Sequence, residues 1–162
     1  MAETKDFQGY LKNKCIVGYG IANGIINGAI FFAMNASNAA ITFDQSAMIE
    51  EIALTGALLG VLLTLCVVPL TKMDFKKGVY TATAADMNAT AKLPGNMIVL
   101  SLVVGVIALA ICTALAAVFS FVLPMPLTRT GMMIFKGCMC AIAGAIAGYL
   151  VIGRTTAMVV AE

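Results

Sequence analysis

The sequence predicts an all-α membrane protein: four transmembrane helices forming two parallel-related helical hairpins, with both termini cytoplasmic. Three observations predict this class. Of the 162 residues, 61% are hydrophobic and only 11% charged, with a mean hydropathy of +0.99, whereas a soluble domain carries about a quarter charged residues. Four apolar segments approach or exceed the roughly 20 residues that cross a hydrocarbon core. The lysines and arginines gather at one end of these segments, as cytoplasmic ends do.

The first segment, Cys15–Met34, follows lysines and precedes the small residues Ala36-Ser37-Asn38-Ala39, an order shared with secretory signals. The apolar run is long for a signal and is punctuated by glycines and asparagines, so a membrane helix is expected instead. Val17-Gly18-Tyr19-Gly20 has the letters of a potassium-channel filter. A filter is extended backbone sheltered by other protein, and only sixteen mostly polar residues precede Val17. A helix accounts for the stretch better. Gly20, Gly24 and Gly28 recur every fourth residue with Asn23 and Asn27 beside them, within an arc of roughly 140° at about 100° per residue. That face is built for close backbone approach and hydrogen bonding to another helix, and continuous α-helix is expected over 18–28.

The second segment, Met48–Leu70, carries Gly56 and Gly60 and closes on Pro69. The third, Met97–Leu123, is long enough to tilt and stops before Pro124 and Pro126. The fourth, Ile134–Gly153, carries Gly144 and Gly148. Between the second and third lies a polar loop, 71–96, with room for a short surface helix. All residues belong to one membrane domain. With both termini inside, Lys5, Lys12, Lys14, Lys72, Lys76, Lys77, Lys92 and Arg154 are cytoplasmic, and only Arg129 and Lys136 lie outside. The sequons at Asn35 and Asn88 hug the membrane or fall inside, so glycosylation is not expected.

A shift of 85 residues lays the first helix on the third and the second on the fourth. Met-Ile then opens both even-numbered helices (Met48-Ile49, Met133-Ile134), and Thr-x-Met closes both (Thr71, Met73; Thr156, Met158). Such repeats are parallel, with their axis along the membrane normal. Val68-Pro69-Leu70-Thr71-Lys72 and the hairpin pattern around it resemble small bacterial inner-membrane proteins of a family of unknown function, built from one or two transmembrane hairpins. The resemblance covers 15–78 and, less fully, 97–158, where Gly153-Arg154-Thr155 replaces Pro-Leu-Thr. It implies architecture and a place in the bacterial inner membrane, and no activity.

Charge inside a membrane helix is costly and marks candidate sites. Glu50 and Glu51 open the second helix and Lys136 the fourth, near the outer interface where long side chains reach water. The 85-residue shift superposes Glu51 on Lys136 and Asp44 on Arg129, so equivalent positions carry opposite charges twice. Asn23, Asn27, Glu51 and Lys136 are therefore the candidate lining of a pore or solute path, and Asp44, Glu50 and Arg129 the charges of an outer vestibule. Gly20, Gly24, Gly28, Gly56, Gly60, Gly144 and Gly148 are the expected packing faces. So many notches, on every helix but the third, point to a homo-oligomer or to a larger membrane partner.

The chain has no His, which removes His-based acid–base chemistry and the usual zinc sites. Its five cysteines lie in or beside apolar runs, and Cys138 and Cys140 point about 160° apart on a helix. No metal, cofactor or catalytic residue is expected. A net charge of +2 with scattered lysines carries no basic stripe for nucleic acid. The partners expected are the lipid bilayer and other membrane protein. Two functional readings stand: an oligomeric transporter or channel for a small ion or polar solute, and a non-catalytic accessory subunit.

Overall fold

The structure is a computed structural model, described here over residues 5–83, 86 and 89–161. Four long helices carry the chain: α1 (Phe7–Met34), α2 (Gln45–Lys76), α3 (Met97–Ser120) and α4 (Arg129–Ala161), each long and apolar enough to cross a membrane. The packed bundle agrees with the all-α class read from the sequence. Large apolar side chains cover its outside, among them Ile25, Leu54, Ile98 and Val106. Lipid is the solvent that accepts such a surface.

Three helices run past their expected ends. α1 begins at Phe7 rather than Cys15, because Asp6 accepts a hydrogen bond from the Gly9 N–H and Phe7, Tyr10 and Leu11 are buried. α2 starts at Gln45 and continues through Pro69 to Lys76. Proline removes one backbone donor, and the rest of the ladder holds the helix through it. α4 extends from Arg129 to Ala161. Arg154 does not stop it, because its guanidinium donates to the carbonyls of Ala91 (2.6 Å) and Pro94 (3.3 Å). α3 is shorter than expected, ending at Ser120 in a turn. In the 71–96 loop, a 3₁₀ turn at Ala89–Lys92 stands where a surface helix had room. Asn88 of the second sequon lies outside the described residues.

Two-residue strand pairs close the ends of the bundle. Lys5–Asp6 pairs in parallel with Tyr80–Thr81 at the end holding both termini. Thr42–Phe43 pairs antiparallel with Leu127–Thr128 at the other, distal end. In the distal pair Thr42 meets Thr128 and Phe43 meets Leu127. The 85-residue shift exchanges these two pairings, as a twofold axis between the strands does. Helix packing repeats the relation: α1 packs on α4, α3 packs on α2, and the parallel helices α2 and α4 pack on each other.

The hairpins are therefore consecutive in sequence without both being packed pairs. α1 leaves α2 and lies on α4. The glycines explain the choice. A Cβ on Gly24 would stand 2.7 Å from the Gly137 carbonyl oxygen and 2.9 Å from Ala141 Cβ; one on Gly60 would stand 2.9 Å from Gly105 Cα. Gly20 and Gly28 also face α4, Gly56 faces Cys112 of α3, and Gly148 faces the Tyr19 ring. The third helix is notched as well, since Gly105 lies against α2. These faces are occupied within one chain, and Gly24, Gly28 and Gly137 also border a groove on the outside of the bundle.

Candidate functional site

Between α1 and α2, where the two helices part, lies a cleft of about 530 Å³. Tyr19, Asn23 and Asn27 line its α1 wall, Leu58, Leu59 and Leu62 its α2 wall, and Lys136 of α4 reaches it from between them. Three of the four expected path residues thus share one cavity. The fourth, Glu51, holds Lys136: its Oε1 accepts from Lys136 Nζ at 2.5 Å. The partners are 85 positions apart, so the ion pair joins equivalent sites across the pseudo-twofold axis.

The pair differs from two interfacial charges in water. Lys136 keeps only 11% of its side-chain exposure and Glu51 keeps 37%. The Lys136 ammonium also stands 5.1 Å from the centre of the Phe31 ring, within cation–π range. Burial raises the cost of breaking such a pair, because the charge left behind lacks solvent.

The α1 wall is shaped by a departure from the expected α-helix. Over Lys14–Ile21 the helix is π-wound, and α-winding resumes at Ala22. The wider turn brings the Tyr19 carbonyl against Gly144, where any Cβ would overlap it. Asn23 Nδ2 donates to that same carbonyl (2.8 Å), and Asn27 Nδ2 donates to the Asn23 carbonyl (2.9 Å). The sequence signal for close packing was present in the glycines. Nothing in it distinguished π from α winding, since π turns are rare and respond to tertiary fit.

The vestibule residues do not act together. Asp44 caps α2 by accepting from the Ala47 N–H (2.8 Å) and from the Ser46 hydroxyl. The Ala47 N–H, with the Ser46 hydroxyl, holds the Asp44 carboxyl below its usual pKa. Arg129 instead donates to the carbonyls of Asn35 (3.0 Å) and Ala36 (3.1 Å) at the end of α1. It also covers the Phe32 ring at 4.3 Å. No Asp44–Arg129 ion pair occurs among the described residues. Each charge serves the nearest unsatisfied helix terminus, which is closer than the opposite charge. Glu50 is exposed.

A polar group not foreseen from the sequence lies toward the end holding the termini. Lys14 Nζ is 3.0 Å from Asp74 Oδ2, and the Tyr10 hydroxyl donates to the same oxygen (2.8 Å). Tyr10 stacks on Tyr80 at 4.0 Å, whose hydroxyl shares a hydrogen bond with Thr156. Asp74 sits among Lys72, Lys76 and Lys77 and reads as a solvated charge as long as α2 is stopped at Leu70. Carrying the helix past Pro69 is what reveals it.

The second half of the chain contains the counterpart of the cleft. Between α3 and α4, Val104, Ile107, Ala108, Ile111, Ala143 and Ala147 take the places of Tyr19, Ala22, Asn23, Ile26, Leu58 and Leu62. There the helices close and leave no space for a water molecule. Leu58 and Leu62 are larger than the alanines at the equivalent positions and stay exposed, whereas Ala143 and Ala147 are buried. Comparison of the chain with family models, with curated proteins and with solved structures finds no match in any of the three.

Proposed function

We propose that this multi-pass membrane protein carries a small ion or polar solute along the α1–α2 cleft, as a transporter or channel and not as an enzyme. The observation behind the reading is the contrast between equivalent clefts: one is closed and wholly apolar, while the other is open and sets Asn23, Asn27 and Lys136 in a mostly apolar lining. The path runs from the Glu51–Lys136 pair past Asn27 and Asn23 to Tyr19. Lys14 and Asp74 stand near its other end. A side chain that only glued helices together would leave no adjoining space, and these asparagines adjoin about 530 Å³ of it.

The distribution of lysines supports an N-in, C-in orientation; a bacterial inner membrane is what the hairpin resemblance implies. The distal end, with Asp44 and Glu50, then faces outward. In a cysteine-free background, a Cys at Ser37 or Thr128 should react with an impermeant maleimide from outside, and one at Thr81 only after permeabilisation. The opposite accessibility refutes the orientation.

Flux tests the function. Proteoliposomes should show solute or ion leak above protein-free liposomes, read by light scattering for neutral solutes and by potential-sensitive dye for ions. Glu51→Lys or Lys136→Glu alone should lower it, because each sets like charges face to face, and the double exchange should restore part of it. Strictly additive losses deny the pair a joint role; absence of any leak refutes transport. An accessory role is favoured by one surface. Gly137, Cys138 and Ala141 of α4, with Ala29 of α1, line a shallow apolar groove of about 460 Å³ on the outside of the bundle. A partner helix or a second copy would seat there, and native mass spectrometry separates the two.

A further inference from the structure

The hydrogen-bonding groups that the cleft leaves unclaimed define what complements it. On α1, the amide nitrogens of Asn23 and Asn27 are committed to backbone carbonyls. Each bond uses one of the two amide N–H groups, so each side chain still offers its amide oxygen, an acceptor, beside one N–H. On α4, the Lys136 ammonium has three donors, and among the described residues only Glu51 accepts from it. The remaining donors lie in a side chain about nine-tenths buried that reaches the cleft. Asn27 lies near the height of Lys136, because its neighbour Gly28 faces the Met133 carbonyl and Gly24 faces that of Gly137. Asn23 is one helical turn deeper, about 5–6 Å. The opposite wall is Leu58, Leu59, Leu62 and Leu63.

A charged donor at one point, amide oxygens with N–H groups beside it and an apolar wall facing both select an amphipathic molecule. Charge narrows the choice. The Glu51–Lys136 pair is neutral overall, so a ligand with net charge would enter a poorly solvated site without compensation. A zwitterion adds no net charge, and the desolvation of its two charged groups is offset where each meets a complementary group. The cleft volume of about 530 Å³ lies within the range of small-molecule sites, roughly 300–1,000 Å³.

We propose that the cleft binds an apolar α-amino acid as its zwitterion. The carboxylate meets the Lys136 ammonium, the ammonium meets the amide oxygens of Asn27 and Asn23, and the side chain lies on the leucines of α2. This assignment rests on the reading of the cleft as a solute site and names the class of solute. The closed counterpart lacks the polar elements, with Ala108 and Cys112 at the positions equivalent to the asparagines.

The test is equilibrium binding of tritiated L-leucine to the full chain in detergent, with two half-ligands as competitors. Isocaproate keeps the carboxylate and loses the amine, and isoamylamine does the reverse. Leucine should bind saturably, and each half-ligand should compete at least about tenfold more weakly, as loss of a hydrogen bond to a charged group implies. Bound leucine should slow alkylation of a Cys placed at Thr55, which lines the cleft one turn from Glu51, and leave Cys138, exposed on the outer groove, unchanged. Asn23→Ala with Asn27→Ala should weaken binding about tenfold or more. α3 already carries small residues at both positions, so the variant retains its packing; should it not fold, the competition series on the unaltered protein decides. Absence of saturable binding, a half-ligand as good as leucine, or binding that leaves the Cys at position 55 unprotected overturns the proposal. Leucine binding without flux refutes transport and leaves this site standing. Flux of other solutes without leucine binding refutes the amino acid alone.

Discussion

Gly144→Ala should destabilise the protein more than any other single glycine substitution in the bundle. The added Cβ would overlap the Tyr19 carbonyl oxygen, which is backbone, accepts from Asn23 and cannot swing aside. Overpacking usually costs about 1–3 kcal/mol, and more where backbone must move; we expect at least the upper end. Gly24→Ala should follow, since its Cβ would meet the Gly137 carbonyl at 2.7 Å. Gly28→Ala has the opposite sign. Its nearest neighbour would be the Met133 carbonyl at 3.4 Å, an ordinary contact, while alanine favours helix over glycine by about 1 kcal/mol. Thermal unfolding in detergent should therefore rank Gly144→Ala lowest, Gly24→Ala next, and Gly28→Ala at or above the parent. A Gly144→Ala protein as stable as the parent would show that Tyr19 does not lie on α4.

Removing one member of the central ion pair should produce the second large effect. Glu51→Gln leaves the Lys136 ammonium nine-tenths buried without its countercharge. Breaking a fully buried pair costs about 3–5 kcal/mol. Glu51 retains 37% of its side-chain exposure, which lets water reach the pair, so about 2 kcal/mol is expected here. The double variant Glu51→Met with Lys136→Met should recover most of that loss, because it removes the desolvated charge together with its partner. Chemical denaturation of the parent, Glu51→Met, Lys136→Met and the double variant measures the coupling. If Glu51→Gln matches the parent, Lys136 has water enough, and the pair is the interfacial one that the sequence suggested.

The sequence and the structure agree where the determining physics is local. Spans follow from runs of apolar residues, and Ile25 or Leu54 needs no neighbour to be worth burying in lipid. The Gly20–Gly24–Gly28 face follows from helical periodicity. The Glu51–Lys136 pair was legible only because the two halves are compared at a fixed shift. Helix ends were misread, since Pro69 and Arg154 look like stops in isolation. Neither is one, because tertiary partners, the Ala91 and Pro94 carbonyls in the case of Arg154, continue the helix past it.

What the sequence determined by itself is a chain of four membrane helices with close-packing faces and a few ionic groups that must find partners. Which helix each face meets was decided only in three dimensions. A glycine notch fits any helix backbone, so its partner is chosen by the sum of contacts over the bundle. That sum sends α1 to α4 and away from α2. The π-wound turn at Lys14–Ile21 has the same origin, a fit of Tyr19 to Gly144 that no local propensity encodes. The cleft follows from both. Leu58 and Leu62 line an open gap where Ala143 and Ala147 line a closed one, a difference that exists only once the helices are placed.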